Sequence, residues 1–321
     1  MHIRKIVFLM VFALVAAAAH AQTVLASFNY FSGVNGVAVD YVRNRAYAAL
    51  PNYYGTDQPA VQVLDGRTQN VITTFSVPTA KTVAVNLLTG TLYVAGTVPN
   101  FGNSVVALDP QTGAVQATIQ VTTSFGKGIT SIAVDPITNE LFAADQTDDA
   151  IGVIDLSTNT LTTRIALNGY KPAVLGVDFV RGTVYAGLNN NQVAILSEAS
   201  NTVTYATYGA NTQGVTADIV LGTAYVCDAE YSGGTVGVFN TNGTNLASIP
   251  VGSYPVSADT DFITGSVFAV NQGDGTISKI NTYRNTVITT FPYAANSIAV
   301  NPSESTIYAV GPQSVTVLTE N

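Results

Sequence analysis

SIAVDPITNELFAADQTDDAIGVIDLSTNTLTTRIAL, residues 131–167, decides the fold. Four short runs in it, IAV, LFAAD, IGVID and LTTRIAL, are rich in β-branched and small apolar residues. Between them lie DPITN, QTDD and LSTN, clusters of turn formers. The stretch therefore reads as four strands in a meander. One such sheet cannot bury both of its faces, so it needs neighbours.

The rest of the chain supplies them. An Asp or Asn closes the first strand of each copy, and an aromatic follows seven residues later. The pairs are Asp40/Tyr47, Asn86/Tyr93, Asp135/Phe142, Asp178/Tyr185, Asp218/Tyr225, Asp261/Phe268 and Asn301/Tyr308. Successive Asp/Asn markers lie 40 to 49 residues apart. A third-strand marker follows in every copy, as in VQVLD at 61–65, IGVID at 151–155 and VTVLT at 315–319. Seven copies of four strands at this period predict an all-β fold, a seven-bladed β-propeller of antiparallel blades.

The seventh copy lacks a fourth strand. TVLASFNY at 23–30 matches TVITTFPY at 286–293 in residue type. The N-terminal strand is therefore expected to complete the C-terminal blade and close the ring, removing exposed sheet edges.

Residues 1–21 read as a signal peptide: Arg4 and Lys5, an apolar run from Ile6 to about Ala18, then Ala19-His20-Ala21. Residues 22–321 are expected to form one propeller domain, secreted or periplasmic, with no membrane insertion of the mature chain. The whole chain carries a formal charge of −8, and removal of Arg4 and Lys5 makes the mature part more acidic still. Such a surface should repel nucleic acid and anionic membrane over most of its extent. A monomer is expected. Cys227 is the only cysteine, so no internal disulfide can form, and it reads as a small buried side chain.

Both histidines, His2 and His20, fall in the leader, and the chain has no Trp. That removes any Ser-His-Asp arrangement and the commonest metal ligand from the mature chain. No cofactor, metal site or catalytic set is expected. The acids Asp145, Asp148, Asp149, Asp228, Glu230 and Asp274 lie on one rim, without the spacing of a dedicated calcium loop.

Two placements suggest a ligand-binding face. Asp259 stands at an axial position where the other copies have Ala38, Ala84, Ala133, Gly176, Thr216 and Ala299. Lys81, Lys127 and Lys171 each fall just before a first strand, which should gather them near one mouth of the channel and attract an anion. The loops joining second to third strands also vary in length, while the turns at the other end are nearly constant. Variable loops on a rigid scaffold are where recognition is usually placed.

The pattern resembles the YVTN-type β-propeller repeat family of secreted bacterial proteins, which is similar to surface-layer and lactonase-like propellers. AVDPITNELFAADQTDDAIGVIDLSTNTL, LYVAG at 92–96 and VFAVNQGDGTISKINTYRNTVITTF at 267–291 carry the resemblance, with GYKPAVLGV and GSYPVSAD between blades. It covers essentially residues 23–321. It implies a fold and leaves function open, since members range from enzymes to binding proteins. The expected function is a non-catalytic binding or scaffold protein recognising a ligand, glycan or protein on its loop-rich face. The alternative is a lactonase-like hydrolase, in which a carboxylate-bound metal would have to activate water without histidine.

Overall fold

The computed structural model describes residues 22–30, 33–53, 58–122 and 128–320, apart from the side chains of residues 52 and 53. The proposed signal peptide and Lys127 lie outside the described residues. Twenty-eight strands form seven four-stranded antiparallel sheets arranged as a ring. The protein is a seven-bladed β-propeller. No helix among the described residues is long and apolar enough to cross a membrane.

Blades are numbered 1 to 7 by their innermost strands: Gly36–Asp40, Thr82–Val85, Ile129–Asp135, Pro172–Asp178, Thr212–Asp218, Pro255–Asp261 and Ser297–Asn301. Blades 1 to 6 then run outward in chain order. Blade 7 takes its outer strand from the other end of the chain. Val24–Asn29 pairs antiparallel with Ser314–Thr319, placing Ser27 opposite Thr316 and Phe28 opposite Val315. The expected closure is what the structure has.

The sequence markers have distinct physical jobs. The seven Asp or Asn residues that close the inner strands are all buried. In each, Oδ1 accepts the backbone N–H two residues on, and in most also the next one. Asp135 does so with Ile137 N at 2.6 Å and Thr138 N at 3.0 Å, and Asp218 with Val220 N at 2.9 Å and Leu221 N at 3.0 Å. A short side-chain acceptor thereby satisfies donors that the turn takes out of the ladder. The aromatics seven residues on are buried between neighbouring sheets. Tyr47 sits in one apolar cluster with Val83 and Leu92 of blade 2, and Phe142 in another with Leu175 and Val184 of blade 4. Each blade thus contributes one large ring to the seam with its neighbour, and such rings dominate core burial.

Near the axis the strands of different blades approach without a shared ladder, and small residues set the spacing. A Cβ on Gly214 would lie 2.7 Å from Ser257 Cα and 2.9 Å from Ser257 N, both backbone atoms of the next blade. Gly214→Val is therefore expected to push blades 5 and 6 apart and cost about 2–3 kcal/mol or more. Thermal unfolding checks this, and an unchanged midpoint would show that the seam yields freely.

Candidate functional site

The fold has two unlike ends. At the turn face, hairpins leave the inner and third strands through near-identical turns. These are held by the Asp and Asn side chains above and by third-strand partners such as Asp65, Asp109 and Asp155. At the loop face lie the longer second-to-third-strand loops and the links between blades. A central channel of about 530 Å³ joins the two ends.

The channel wall changes character along the axis. Its loop-face end is lined by Asn35, Lys81, Thr130, Gln213 and Asn296. Its middle is lined by the small residues expected there, including Ala38, Ala133, Gly176 and Ala299, with Thr216 and Asp259 among them. The turn-face end is apolar, with Tyr41, Leu87, Phe179, Ile219, Phe262 and Pro302. Tyr41 of blade 1 and Phe262 of blade 6 meet edge to face across blade 7, with ring centroids 5.4 Å apart. That contact narrows the turn-face end.

Asp259 is half-buried in this wall, and its carboxylate is well occupied. Oδ2 accepts Val300 N of blade 7 at 2.8 Å. Oδ1 accepts its neighbour Thr260 N at 2.8 Å and the Thr216 hydroxyl of blade 5 at 3.3 Å. One side chain thus links three blades. Ser257 and Ser131 do a lesser version of the same thing, accepting Ile298 N and Leu175 N of the following blades. Burial pushes the Asp259 carboxyl up to about 6, against the pull of these hydrogen bonds, with the nearby Asp261 charge adding to the rise. The odd residue of the sequence is thus a clamp between inner strands, facing the channel as well.

The lysines divide. Lys81 lines the same channel as Asp259. Lys171 points to the rim instead, pairing with Asp149 at 2.8 Å and donating to the Gln146 carbonyl at 3.3 Å. The acids of the loop face are similarly committed. Arg164 bridges Asp145 at 2.8 Å and Asp148 at 2.6 Å. Asp228 accepts Ala210 N and Asn211 N, and Asp274 accepts Ser253 N. Among the described residues no group of three or more Cys, His, Asp or Glu side chains is placed to hold a metal ion. Cys227 is fully buried, and burial pushes its thiol up to about 12. A thiol so protonated is a poor nucleophile.

One loop-face feature escaped the sequence reading. Tyr231, in the second-to-third-strand loop of blade 5, stacks on Tyr254, in the link to blade 6. Their rings are 4.1 Å apart and 19° from parallel. Tyr231 is 74% exposed, so its outer face is open to solvent. Tyr254 has φ of +52°, which a bulky residue rarely adopts. Backbone bonds from Tyr254 N to the Glu230 carbonyl, and from Gln272 N to the Tyr254 carbonyl, hold it there. The Ser253 hydroxyl donates to the Tyr231 carbonyl at 2.9 Å. Local strain kept by surrounding bonds is a recurrent mark of recognition sites. Pro255 directly after Tyr254 gave no hint of a left-handed residue, because the residue before a proline is usually extended.

Comparison of the sequence with protein-family models and with curated proteins finds no match.

Proposed function

We propose that the protein is a non-catalytic binding propeller of the YVTN-like kind, exported to the periplasm or cell exterior, which recognises its ligand on the loop face. A β-propeller scaffold fits a binding or scaffold role in general. The observation that carries the finer reading is the Tyr231–Tyr254 stack, held in a strained conformation on the face whose loops differ from blade to blade. Tyrosine offers a rigid, amphipathic contact at low entropic cost. An open ring flanked by carboxylates and hydroxyls suits the apolar face and hydroxyl rim of a sugar ring, so a glycan, free or on a protein, is the favoured ligand. Lys81, with Lys127 and Lys171, would favour an acidic one. Asp259 supports the binding reading over the hydrolase, because its acceptor capacity is spent on Val300, Thr260 and Thr216.

The test is binding of neutral and uronic-acid oligosaccharides to the immobilised chain at low salt. Tyr231→Ser is expected to weaken the best binder at least tenfold, about 1.4 kcal/mol. The Lys81/Lys127/Lys171→Ala protein should lose the preference for acidic sugars, and more so at low salt, where screening is least. Unchanged binding by both variants would remove the loop face as the site.

A further inference from the structure

The turn face carries an apolar crown that the fold does not require. The residue two after each inner-strand Asp or Asn is Val42, Leu88, Ile137, Val180, Val220 and Ile263 in blades 1 to 6, and Ser303 in blade 7. The six aliphatic side chains are 53% to 67% exposed, unusually open for their type. Equivalent positions in equivalent turns put them at one height around the ring. Inside them lies the apolar end of the channel, with Tyr41, Phe179 and Phe262. Outside them, Val24, Leu25, Val71, Val115 and Leu246 are exposed at the turn-face ends of outer strands. Among the described residues, only Phe101 and Tyr231 of the strongly exposed large apolar side chains belong to the loop face. Exposed aliphatic side chains repeated around one face in this way point to an interaction site.

We propose that the turn face docks on the surface of a lipid bilayer. Two observations favour lipid over a second copy of the chain. The first is depth. The flank residues stand at the first or second position of their strands, within about 7 Å of the turns at the ordinary rise per residue. Peripheral apolar surfaces sink about 5–10 Å into the headgroup boundary, which covers tips and flanks together. A second flat ring would cover the tips and leave the flanks in water. The second is charge. Every arginine after residue 21 except Arg164 lies in or beside a turn of this face: Arg43, Arg45, Arg67, Arg181 and Arg284. Arg43 donates to the carbonyls of Leu87 and Leu88, and Arg181 to those of Ile219 and Val220, so each fixes the apolar tip of the next blade. Arg284 is exposed, and Arg67, also exposed, pairs with Glu304 at 3.0 Å. Long basic side chains commonly bridge an apolar surface to a charged layer in this way.

This goes beyond the loop-face reading and is independent of it: a propeller lying on its turn face leaves the loop face pointing into solution. Because the chain is acidic overall, apolar contact has to supply most of the attraction, and neutral lipid suffices.

The test uses residues 22–321, whose ring is complete without the leader, and vesicles of phosphatidylcholine. The chain has no Trp, so single tryptophans report cleanly. Leu88→Trp and Ile263→Trp are expected to shift their emission to the blue on vesicles and to be quenched by brominated lipid, whereas Tyr231→Trp should do neither. The Leu88→Ser, Ile137→Ser, Ile263→Ser protein should melt as the parent does and lose at least tenfold in vesicle-bound fraction. Three results would overturn the proposal: no partition of the parent chain, equal partition of the triple variant, or reporters that become buried with rising protein concentration in the absence of lipid. The last would assign the crown to a second copy.

Discussion

Deletion of residues 22–30 is expected to abolish the cooperative fold. The segment is the only partner of the outer edge of Ser314–Thr319. Its Ala26, Phe28 and Tyr30 pack on the cluster formed by Tyr308, Val315 and Val317 with Ala46 and Leu64 of blade 1. Removal strips a row of backbone hydrogen bonds and opens an apolar edge to pairing with other chains. Domains are stable by about 5–15 kcal/mol, and losing these contacts should take several of them. Circular dichroism and light scattering would follow melting and aggregation, and a synthetic peptide of residues 22–30 should restore part of the transition. A truncated chain melting within about 2 °C of the parent, worth only about 1 kcal/mol at this size, would show the strand to be dispensable.

Alkaline pH is expected to weaken the ring through two carboxyl pairs, one buried and one whose glutamate is half-buried. Ser197 and Thr319 end third strands where other blades have Asp or Asn, and each is followed by a glutamate. Glu198 of blade 4 reaches Asp135 of blade 3, and burial, then the charge and shared hydrogen bond of Asp135, push it up to about 8. Thr138 pulls the other way, and Glu140 adds to the rise. Glu320 of blade 7 does the same against Asp261 of blade 6. It is pushed up to about 9 by burial and Asp261, with Asp259 adding and Lys279 opposing. In each pair the glutamic acid therefore keeps its proton to higher pH than it would in water.

The sign follows from where the proton sits. Each glutamate binds its proton more tightly folded than unfolded. The stabilisation is complete below about pH 4.5, declines as pH rises, and is gone above the folded values near 8 and 9. Asp259, raised to about 6, adds a smaller loss of the same sign. Halving the part of the linkage that falls between pH 5 and 9, for water access and relaxation, leaves about 4 kcal/mol for the glutamates together, or roughly 5–10 °C in Tm. The Glu198→Gln, Glu320→Gln protein keeps a donor at each site and should show a nearly flat profile. A parent protein with constant Tm over that range would rule the pairs out as titrating elements.

These pairs also show what the sequence could and could not reveal. Period, blade number and closure were legible because Asp40 with Tyr47, and its six counterparts, mark local events: a turn bond two residues on and a ring in the next seam. Glu198 was opaque because its partner, Asp135, belongs to another blade. Asp259 stood out by its position. Its link to Val300 did not, since that bond depends on how closely two inner strands approach. Lys171 was expected at the channel mouth with Lys81 and turns to the rim instead, because its partner Asp149 lies in a loop whose course the sequence does not give. The crown was readable in principle, as Val42, Leu88, Ile137 and their counterparts share one register. A turn position is ordinarily taken as polar, and that habit hid it.

The pairing of Val24–Asn29 with Ser314–Thr319 also bears on how the molecule comes into being. Of the twenty-eight described strands, the one made first on a ribosome has as its partner the one made last. Blades 1 to 6 each consist of consecutive strands and can form as they emerge, while blade 7 must wait for Ser314–Thr319. Until then the growing chain is an open arc with unpaired strands at both ends. A chain drawn N-terminus first through a narrow pore would stay unlocked throughout its passage and snap shut only on arrival.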